Sequence, residues 1–590
     1  MSQAIRFYEE KTQDLNKELK RLKKKSASLS MVRLAVFALM IVVFYFIFGT
    51  TVFYISELTL VIAFALLLKS HEKTSQAIQL AKTGLKLAES ERKACVQNYE
   101  DFDGAEDLTD HKHPYSSDLD LFGKQSIFQT VNRTISFNGR NILSSYFKKK
   151  SNAESIIERQ ESIQTLKNET ELVFNFKASA WKKGLEQETI QNLSQWKEIE
   201  VKTYPLIINV LGFISILSTS LLAYFGQVSL IIPLSAFILN MGLIGQKNKD
   251  FSKVYMVLDR QNNALKVLFD LIQFIQSSKT DKGQVALHKD YLNESQADGK
   301  IKQLNQLFTL LEARLNLVVA TVLNGLFLFD NLTVYRLNKW KKENADHIQE
   351  WLRIVGEFDA LVSLSTLAFN QNENTCLPSI KSGSDYQFQV SNLQHPLIPQ
   401  NKRIGNDFSI DSNNDLFLVT GSNMAGKSTF LRSVGINMVL AQTGGVVFAD
   451  QMNYKPMYLF TSMRIFDSIQ SGASTFFAEV DRIKSILNEA KSGEIFILLD
   501  EILKGTNSKD KYTGSKALIE QLAGFKTSGF IATHDLALGS LEDSYSNIHN
   551  RRFEVEIKDG EFIFDYKLKE GVCQTMNATE LMKKMGIIIG

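Results

Sequence analysis

From Tyr204 to Gln246 the chain carries no charged residue, and from Leu34 to Leu68 it carries only Glu57. No other feature restricts the fold as much, because an uninterrupted apolar face of this length is hard to cover in a water-soluble domain. A helix that crosses a bilayer needs roughly 20 apolar residues, and a charge at its centre costs on the order of 3 kcal/mol. The second stretch breaks naturally at Gly226-Gln227 and fits two such helices. The first is tighter. Split at Gly49-Thr50-Thr51, it yields two spans of about 17 residues, at the short end of the spanning range, with Arg33 and Lys69 able to snorkel. A single span from Leu34 to Ser56 competes with that reading. A further apolar run, Leu315–Phe329 between Arg314 and Asp330, is too short to cross and reads as a core helix.

Charge placement sets a topology. Arg6, Lys11, Lys17, Lys20, Arg21, Lys23, Lys24, Lys25 and Arg33 outweigh Glu9, Glu10, Asp14 and Glu18 before the first apolar stretch, which holds the N-terminus in the cytoplasm. That stretch also begins too late for a cleaved leader. Over all 590 residues, 67 basic and 64 acidic side chains leave a net charge of +3, which excludes nucleic-acid binding along the whole length by charge alone. With 44% hydrophobic residues the chain is not globally disordered, and seven prolines leave room for long helices. Cys95, Cys376 and Cys573 lie far apart and support neither a disulfide framework nor a cysteine metal cluster. The run Lys17–Lys25 reads as a topology anchor that lipid headgroups would favour, and Leu15, Leu19 and Leu22 suggest an amphipathic or coiled-coil helix that helps pair two subunits. Lys148-Lys149-Lys150 follow Tyr146-Phe147 without interleaving and read as a solvated helix end.

Near residue 416 the pattern changes. The apolar strand Leu416–Thr420 runs into Gly421, Ser422, Asn423, Met424, Ala425, Gly426, Lys427, Ser428 and Thr429. Glycines at both ends let backbone N–H groups turn toward a phosphate; Lys427 would reach the outer phosphates, and the Ser428 hydroxyl would ligate Mg²⁺ at a helix N-terminus. A second strand, Ile495–Leu499, ends in Asp500-Glu501, where one carboxylate can hold the metal and the other can deprotonate an attacking water. A third, Gly529–Thr533, delivers His534-Asp535, placing a histidine where it could sense a terminal phosphate beyond the strand ends. ATP with Mg²⁺ is the expected ligand, and ATP hydrolysis the expected reaction. Everything after the second apolar stretch is then cytoplasmic, and an even number of crossings follows.

The loop Thr420–Thr429, with its Asn-Met before the final glycine, resembles the MutS-family version. Other segments follow in family order. Gly472–Glu479 resembles the serine-bearing segment, so Ser474 is expected to reach the partner subunit's nucleotide. Asp500–Asn507 resembles the acidic strand end with its Gly-Thr, Ala532-Thr533-His534 the switch histidine, and Tyr566–Cys573 the C-terminal strand and turn. His395-Pro396-Leu397 and Asn406 match the opening of the ATPase domain. More weakly, Asp118–Phe128, Arg133-Thr134, Gly139-Arg140, Leu143 and Glu357–Leu364 resemble the family's lever-helix core. The resemblance covers about residues 118–200 and 300–590. It implies a homodimer joined through its ATPase domains, with Glu501 and His534 catalytic, and DNA as a bound partner.

The departures from the family are as informative. No stretch before the lever region resembles a mismatch-reading domain, and Phe7-Tyr8-Glu9 matches the base-wedging motif in letters only. The apolar stretch 204–246 interrupts the helical core near where relatives elaborate their DNA clamp. Arg403 and Ile404 stand where many relatives place an aromatic against adenine.

The expected architecture is an α/β P-loop NTPase domain of ABC/MutS type, preceded by an all-α lever-helix core bearing two transmembrane helical hairpins. Its expected parts are a basic amphipathic helix (1–33), hairpin one (34–68), a linker helix (69–117), a first part of the core (118–203), hairpin two (204–246), a second part of the core (247–378) and the ATPase domain (379–590). The location implied is the inner cell membrane, multi-pass, with the N-terminus and ATPase domain cytoplasmic. Two rivals remain. A transporter of the ABC type would need a Leu-Ser-Gly-Gly-Gln-like stretch, which is not found between the loop and the Asp-Glu pair. A membrane scaffold or remodelling ATPase would keep the switch without DNA.

Overall fold

The computed structural model describes residues 2–181, 185–188, 191, 199, 201–258, 262–312, 314, 316–381, 388–422, 425–464, 475–558 and 561–574. Its N-terminal part is helical and its C-terminal part mixed α/β. Helix α1, Gln3–Ile47, runs against helix α2, Thr51–Cys95, with the register marked by Ser26 and Ser30 beside His71 and by Phe44 beside Phe53. The chain reverses at Phe48–Thr50. Gly49 takes φ 87°, where a side chain would be strained, and the Thr50 hydroxyl accepts from the Phe53 N–H at 3.2 Å. A single helix over Leu34–Ser56 is therefore not formed.

The abrupt change of composition at Arg33 does not end a helix, because the lysines before it and the leucines and alanines after it are all good helix formers. Residues 3–47 and 51–95 are accordingly two long helices, and the expected linker helix over 69–117 stops at Cys95, after which the chain runs in turns with one 3-10 turn at Glu106–Leu108. Leu15, Leu19 and Leu22 are half-buried, and Leu15 packs against Gly84 of α2. That leucine seam is filled within the chain, which replaces the subunit pairing expected of it. At the base of the pair Ala4, Tyr8, Leu87 and Ala88 are buried, whereas Tyr45 at the tip is 80% exposed.

Helices α3 (Ile127–Val131), α4 (Phe137–Lys148), α5 (Ala153–Asn168) and α6 (Thr170–Ala180) lead to a second apolar pair, α7 (Leu206–Tyr224) and α8 (Ile231–Leu258). After α9 (Asn262–Ser277), α10 (Gly283–Glu294) and α11 (Ala297–Glu312) come α12 (Leu317–Phe327) and the 42-residue α13 (Phe329–Asn370). At 1.5 Å per residue α13 is about 63 Å long. It links the apolar pair α7–α8, where Asn331 bonds Asn209, to the base of α1, where the Tyr8 hydroxyl donates to Asn370. Among the described residues three helices, Gln3–Ile47, Val52–Cys95 and Leu206–Tyr224, are long and apolar enough to cross a membrane. Helix α8 starts apolar and continues past Gln246 into Lys247, Asn248, Lys249 and Asp250.

Two sequence expectations meet their structure here. Tyr8 is buried and Phe7 packs edge-on against Phe174 and Phe369, so Phe7-Tyr8-Glu9 is a core anchor. The run Leu315–Phe329 does form a helix over Leu317–Phe327, but not a core one: Leu317 is 80% and Val318 72% exposed.

The C-terminal part is built on strands β1 (Ser379–Ile380), β2 (Phe388–Leu393), β3 (Asn406–Ile410), β4 (Leu416–Thr420), β5 (Gln451–Tyr454), β6 (Tyr458–Ser462), β7 (Ile495–Asp500), β8 (Thr527–Thr533), β9 (Ile548–Arg552), β10 (Val555–Lys558), β11 (Glu561–Phe564) and β12 (Lys569–Glu570). The main sheet has the order β12-β9-β4-β8-β7-β6 and is parallel except for β12. Strands β4 and β8 are buried along their whole length, as continuous apolar runs in a doubly covered parallel sheet should be. A side sheet, β1-β5-β2-β3, and the hairpin β10-β11 flank it. Helices α14 (Lys427–Thr443), α15 (Thr475–Ser492) and α16 (Ser508–Ala523) complete the layers.

The two parts are bolted together. Asp118 accepts from Thr461 Oγ1 at 2.6 Å and from the Arg464 N–H at 3.0 Å, and Asp120 pairs with Arg432 and Arg464. On the other side of the core, Asp359 of α13 accepts from the Ser136 N–H and hydroxyl at 2.9 and 2.7 Å. Position 139 must be glycine, because a Cβ there would lie 2.2 Å from Asp359 Oδ2.

Candidate functional site

Strand β4 is followed by Gly421, whose φ of 154° brings the backbone so close to Phe553 that a Cβ would lie 2.7 Å from its carbonyl oxygen. Gly426, at φ 103°, turns the chain into α14, which begins at Lys427. The loop between them thus delivers the free N–H groups of a helix start to one spot, the arrangement that suits a phosphate. Lys427 Nζ donates to the carbonyls of Gly421 and Ser422 at 2.8 and 2.9 Å. Burial pulls this ammonium down to about 8, against the opposing pull of Asp500 and Glu501.

Asp500 ends β7, and Glu501 follows in the left-handed region at φ 54°, its N–H held by the Ala532 carbonyl at 2.9 Å. This backbone strain turns the two carboxylates toward the cavity in succession. Glu501 lies 3.2 Å from Lys511 Nζ and 3.5 Å from Lys504 Nζ. Burial alone would raise the Glu501 carboxyl, but Lys511, Lys504 and His534 hold it below its ordinary value. His534, at the end of β8, has Nε2 at 3.5 Å from Lys427 Nζ. Burial and Lys427 lower its basicity, so the imidazole is neutral at pH 7.

A cavity of about 570 Å³ brings these groups together: Ser422, Gly426, Lys427, Ser428, Thr429, Asp500, Glu501 and His534 all line it. Gly421 and Ala425 lie in the loop behind that wall, both buried. Asn423, Met424 and Ser474 fall outside the described residues. The Ser428 hydroxyl and the Asp500 carboxylate are hard oxygen donors of the kind Mg²⁺ takes, and with Lys427 they match the charge of a metal-bound polyphosphate.

Three features of the site come from tertiary contacts that the sequence does not show. The aromatic wall of the cavity comes from Phe553, between β9 and β10, and Tyr566, between β11 and β12. Arg403 turns away to donate to the Ile398 and Pro396 carbonyls and lies 4.8 Å from the Phe448 ring, while Ile404 lines the cavity. Glu479, 5% exposed, accepts from the N–H groups of Leu503 and Lys504, which clamps α15 to the loop after Glu501. No local pattern marks Tyr566 or Arg403; Glu479 sits inside the serine-bearing segment and was legible only as part of it. Of the basic cluster after α4, Lys148 is turned inward to the Leu108 carbonyl and the Phe122 ring.

A glycine-bounded loop between a central parallel strand and a helix, with paired carboxylates at the same sheet edge two strands away, defines a P-loop ATPase fold. Residues 417–587 match the family model of MutS domain V. Among curated proteins, the DNA mismatch repair protein MutS of Clostridium botulinum (strain Okra / Type B1) is 31% identical over 261 residues, covering 43% of this chain and 28% of that protein. That of Prochlorococcus marinus (strain MIT 9312) is 31% identical over 259 residues, covering 42% and 28%. These matches, with the family model confined to the C-terminal part, support membership of the MutS family. The chain spans little more than a quarter of the length of those relatives.

Proposed function

We propose that this chain is a membrane-anchored MutS-type ATPase that binds and hydrolyses Mg-ATP as a dimer and couples the cycle to DNA binding. The observation that carries the reading is the convergence of Lys427, Ser428, Asp500, Glu501 and His534 on one cavity whose domain is bolted, through Asp118 and Asp120, to helices that end in exposed apolar pairs. Lys427 and the loop N–H groups bind the phosphates, and Ser428 with Asp500 would hold Mg²⁺, which supplies charge neutralisation on the phosphate oxygens. Glu501 takes a proton from the attacking water at its carboxylate, and neutral His534 offers a hydrogen bond at the outer phosphate. The pairs α1–α2 and α7–α8 cross the inner membrane, with the N-terminus and ATPase domain in the cytoplasm, and the exposed Lys17, Lys20, Arg21, Lys23, Lys24 and Lys25 at the inner surface favour that orientation.

Two experiments test the parts that rest on kinship. If Ser474 completes the partner's site, mixing Ser474→Ala with Lys427→Ala subunits should restore part of one site's hydrolysis; no rescue under proven mixing rejects the shared site. Coupling to DNA predicts binding that weakens steeply with salt, by about 10³-fold between 50 and 200 mM for six or more phosphate contacts, and that differs with and without ATP. Titration of duplex DNA against the detergent-solubilised protein reads both. Retained hydrolysis with no salt-dependent binding would leave a membrane remodelling ATPase in its place.

A further inference from the structure

Helix α12 ends at Leu328, which takes φ 46°, and the chain leaves at 82° into α13. A helix end strands its last carbonyls, which in water are satisfied by solvent. Here they are satisfied by side chains from the apolar pair. Asn209 of α7 donates to the Phe327 and Leu328 carbonyls at 2.8 and 3.0 Å, and Asn240 of α8 donates to the Gly325 carbonyl at 2.8 Å. Asn209 and Asn240 are 8% and 2% exposed, and Asn331 Nδ2 locks Asn209 in place by donating a hydrogen bond to its Oδ1 at 2.7 Å. The fit is close, since a Cβ on Gly325 would lie 2.0 Å from the Phe237 ring.

The opposite face is bare. Leu317, Val318 and Val322 are exposed, with no charged residue between Asn316 and Phe329, and this face continues the exposed apolar surface of α7 and α8. Side-chain capping of the Gly325, Phe327 and Leu328 carbonyls beneath an exposed apolar face is what hydrocarbon demands and water does not, because an open carbonyl there costs several kcal/mol. Asn240 lies six residues before Gln246, so at 1.5 Å per residue the contact sits about 9 Å inside the end of the apolar stretch. An interfacial helix buries its apolar face about 5–10 Å deep. Lys202 and Lys249, both exposed, mark the headgroup level beyond.

From this we infer that Leu317–Phe327 is a third membrane-inserted element: a short foot in the cytoplasmic leaflet, with Leu317, Val318 and Val322 in contact with acyl chains. The inference rests on the proposed anchoring of α7–α8. It makes the start of the long helix α13 part of the membrane contact, so a lever movement must drag on lipid.

The test uses the full chain in phosphatidylcholine/phosphatidylglycerol vesicles, with Cys95, Cys376 and Cys573 changed to Ser and a single Cys at Val318 or Val322 carrying an environment-sensitive fluorophore. Leu217 on α7 and Lys302 on α11 serve as controls, both being exposed. Quenching by acyl-brominated lipid at 318 and 322 should fall within about twofold of that at 217, and quenching by aqueous iodide should be about fivefold weaker than at 302, as for an interfacial helix. Iodide quenching equal to that at 302 overturns the inference. So does shielding from both quenchers, which would mean that a second copy covers the face. Absence of lipid quenching at 217 would instead reject the anchoring of α7–α8 itself.

Discussion

Glu501→Gln should slow steady-state ATP hydrolysis by about 10²–10⁴-fold, the range contributed by a general base, while nucleotide stays bound. Glutamine keeps the size and one acceptor oxygen of Glu501 but cannot take a proton. Lys427→Ala acts earlier in the cycle: it removes a cation from the cavity wall, so retention of nucleotide itself should fail. Phosphate release and equilibrium binding of labelled ATP separate the two outcomes, and equal turnover by wild type and Glu501→Gln would eliminate Glu501 as the base. The lysines around the carboxylate add a pH signature. Lys511 and Lys504 hold Glu501 below its ordinary value, so the base stays ionised into acid solution. Lys511→Met should raise that carboxyl and move the acid limb of kcat to higher pH, and a limb that stays in place would exclude Glu501 as its origin.

The nucleotide cavity was legible because its parts are contiguous in the chain. Gly421 through Thr429 form one loop, Asp500-Glu501 one strand end and His534 another, and a parallel sheet delivers consecutive strand ends to the same edge. What a linear pattern cannot carry is a partner from elsewhere in the sequence. Tyr566 reaches the cavity only because a left-handed turn at φ 52° brings it beside Gly426, and nothing around residue 566 signals that contact. The direction Arg403 takes is hidden for the same reason, since the carbonyls that draw it away belong to a turn whose shape is set by tertiary packing.

The helical region shows two further limits. Composition divides residues 1–117 at Arg33 and Lys69, but backbone hydrogen bonding is indifferent to polarity, so α1 and α2 pass through both places. Apolar runs were weighed by length alone, which assigned Leu315–Phe329 to the core; length cannot say that Asn209 and Asn240 would cap its end while Leu317 and Val318 stay exposed. Asn209 and Asn240 are uncharged and leave no mark on a stretch read by its lack of charge. Their meaning lies in the carbonyls they face.

A buried charge cluster of the same long-range kind ties the first helical pair to the lever, and breaking it should cost about 3–5 kcal/mol of stability. Glu91 of α2, fully buried, lies 3.0 Å from Arg133 Nε and 2.6 Å from Lys177 Nζ of α6, and accepts from Asn370 at the end of α13 at 3.1 Å. Lys177 also donates to Thr366 of α13 at 3.2 Å. Burial by itself would raise the Glu91 carboxyl, but Arg133 and Lys177 bring it down to about 2. A carboxyl lowered in the folded state stabilises fully above its ordinary value of 4.5, and that contribution fades as the pH falls through about 2. Glu91→Gln leaves Arg133 and Lys177 buried without a counter-charge, and that uncompensated charge is the source of the loss. The triple variant Glu91→Leu, Arg133→Met and Lys177→Met removes all three charges and should recover much of it, because well-packed apolar side chains often replace a buried ionic cluster at little cost. Urea unfolding of the detergent-solubilised chain measures each variant. A loss below about 1 kcal/mol for Glu91→Gln, the scale of an exposed pair, would show that the cluster does not hold the pair to the lever.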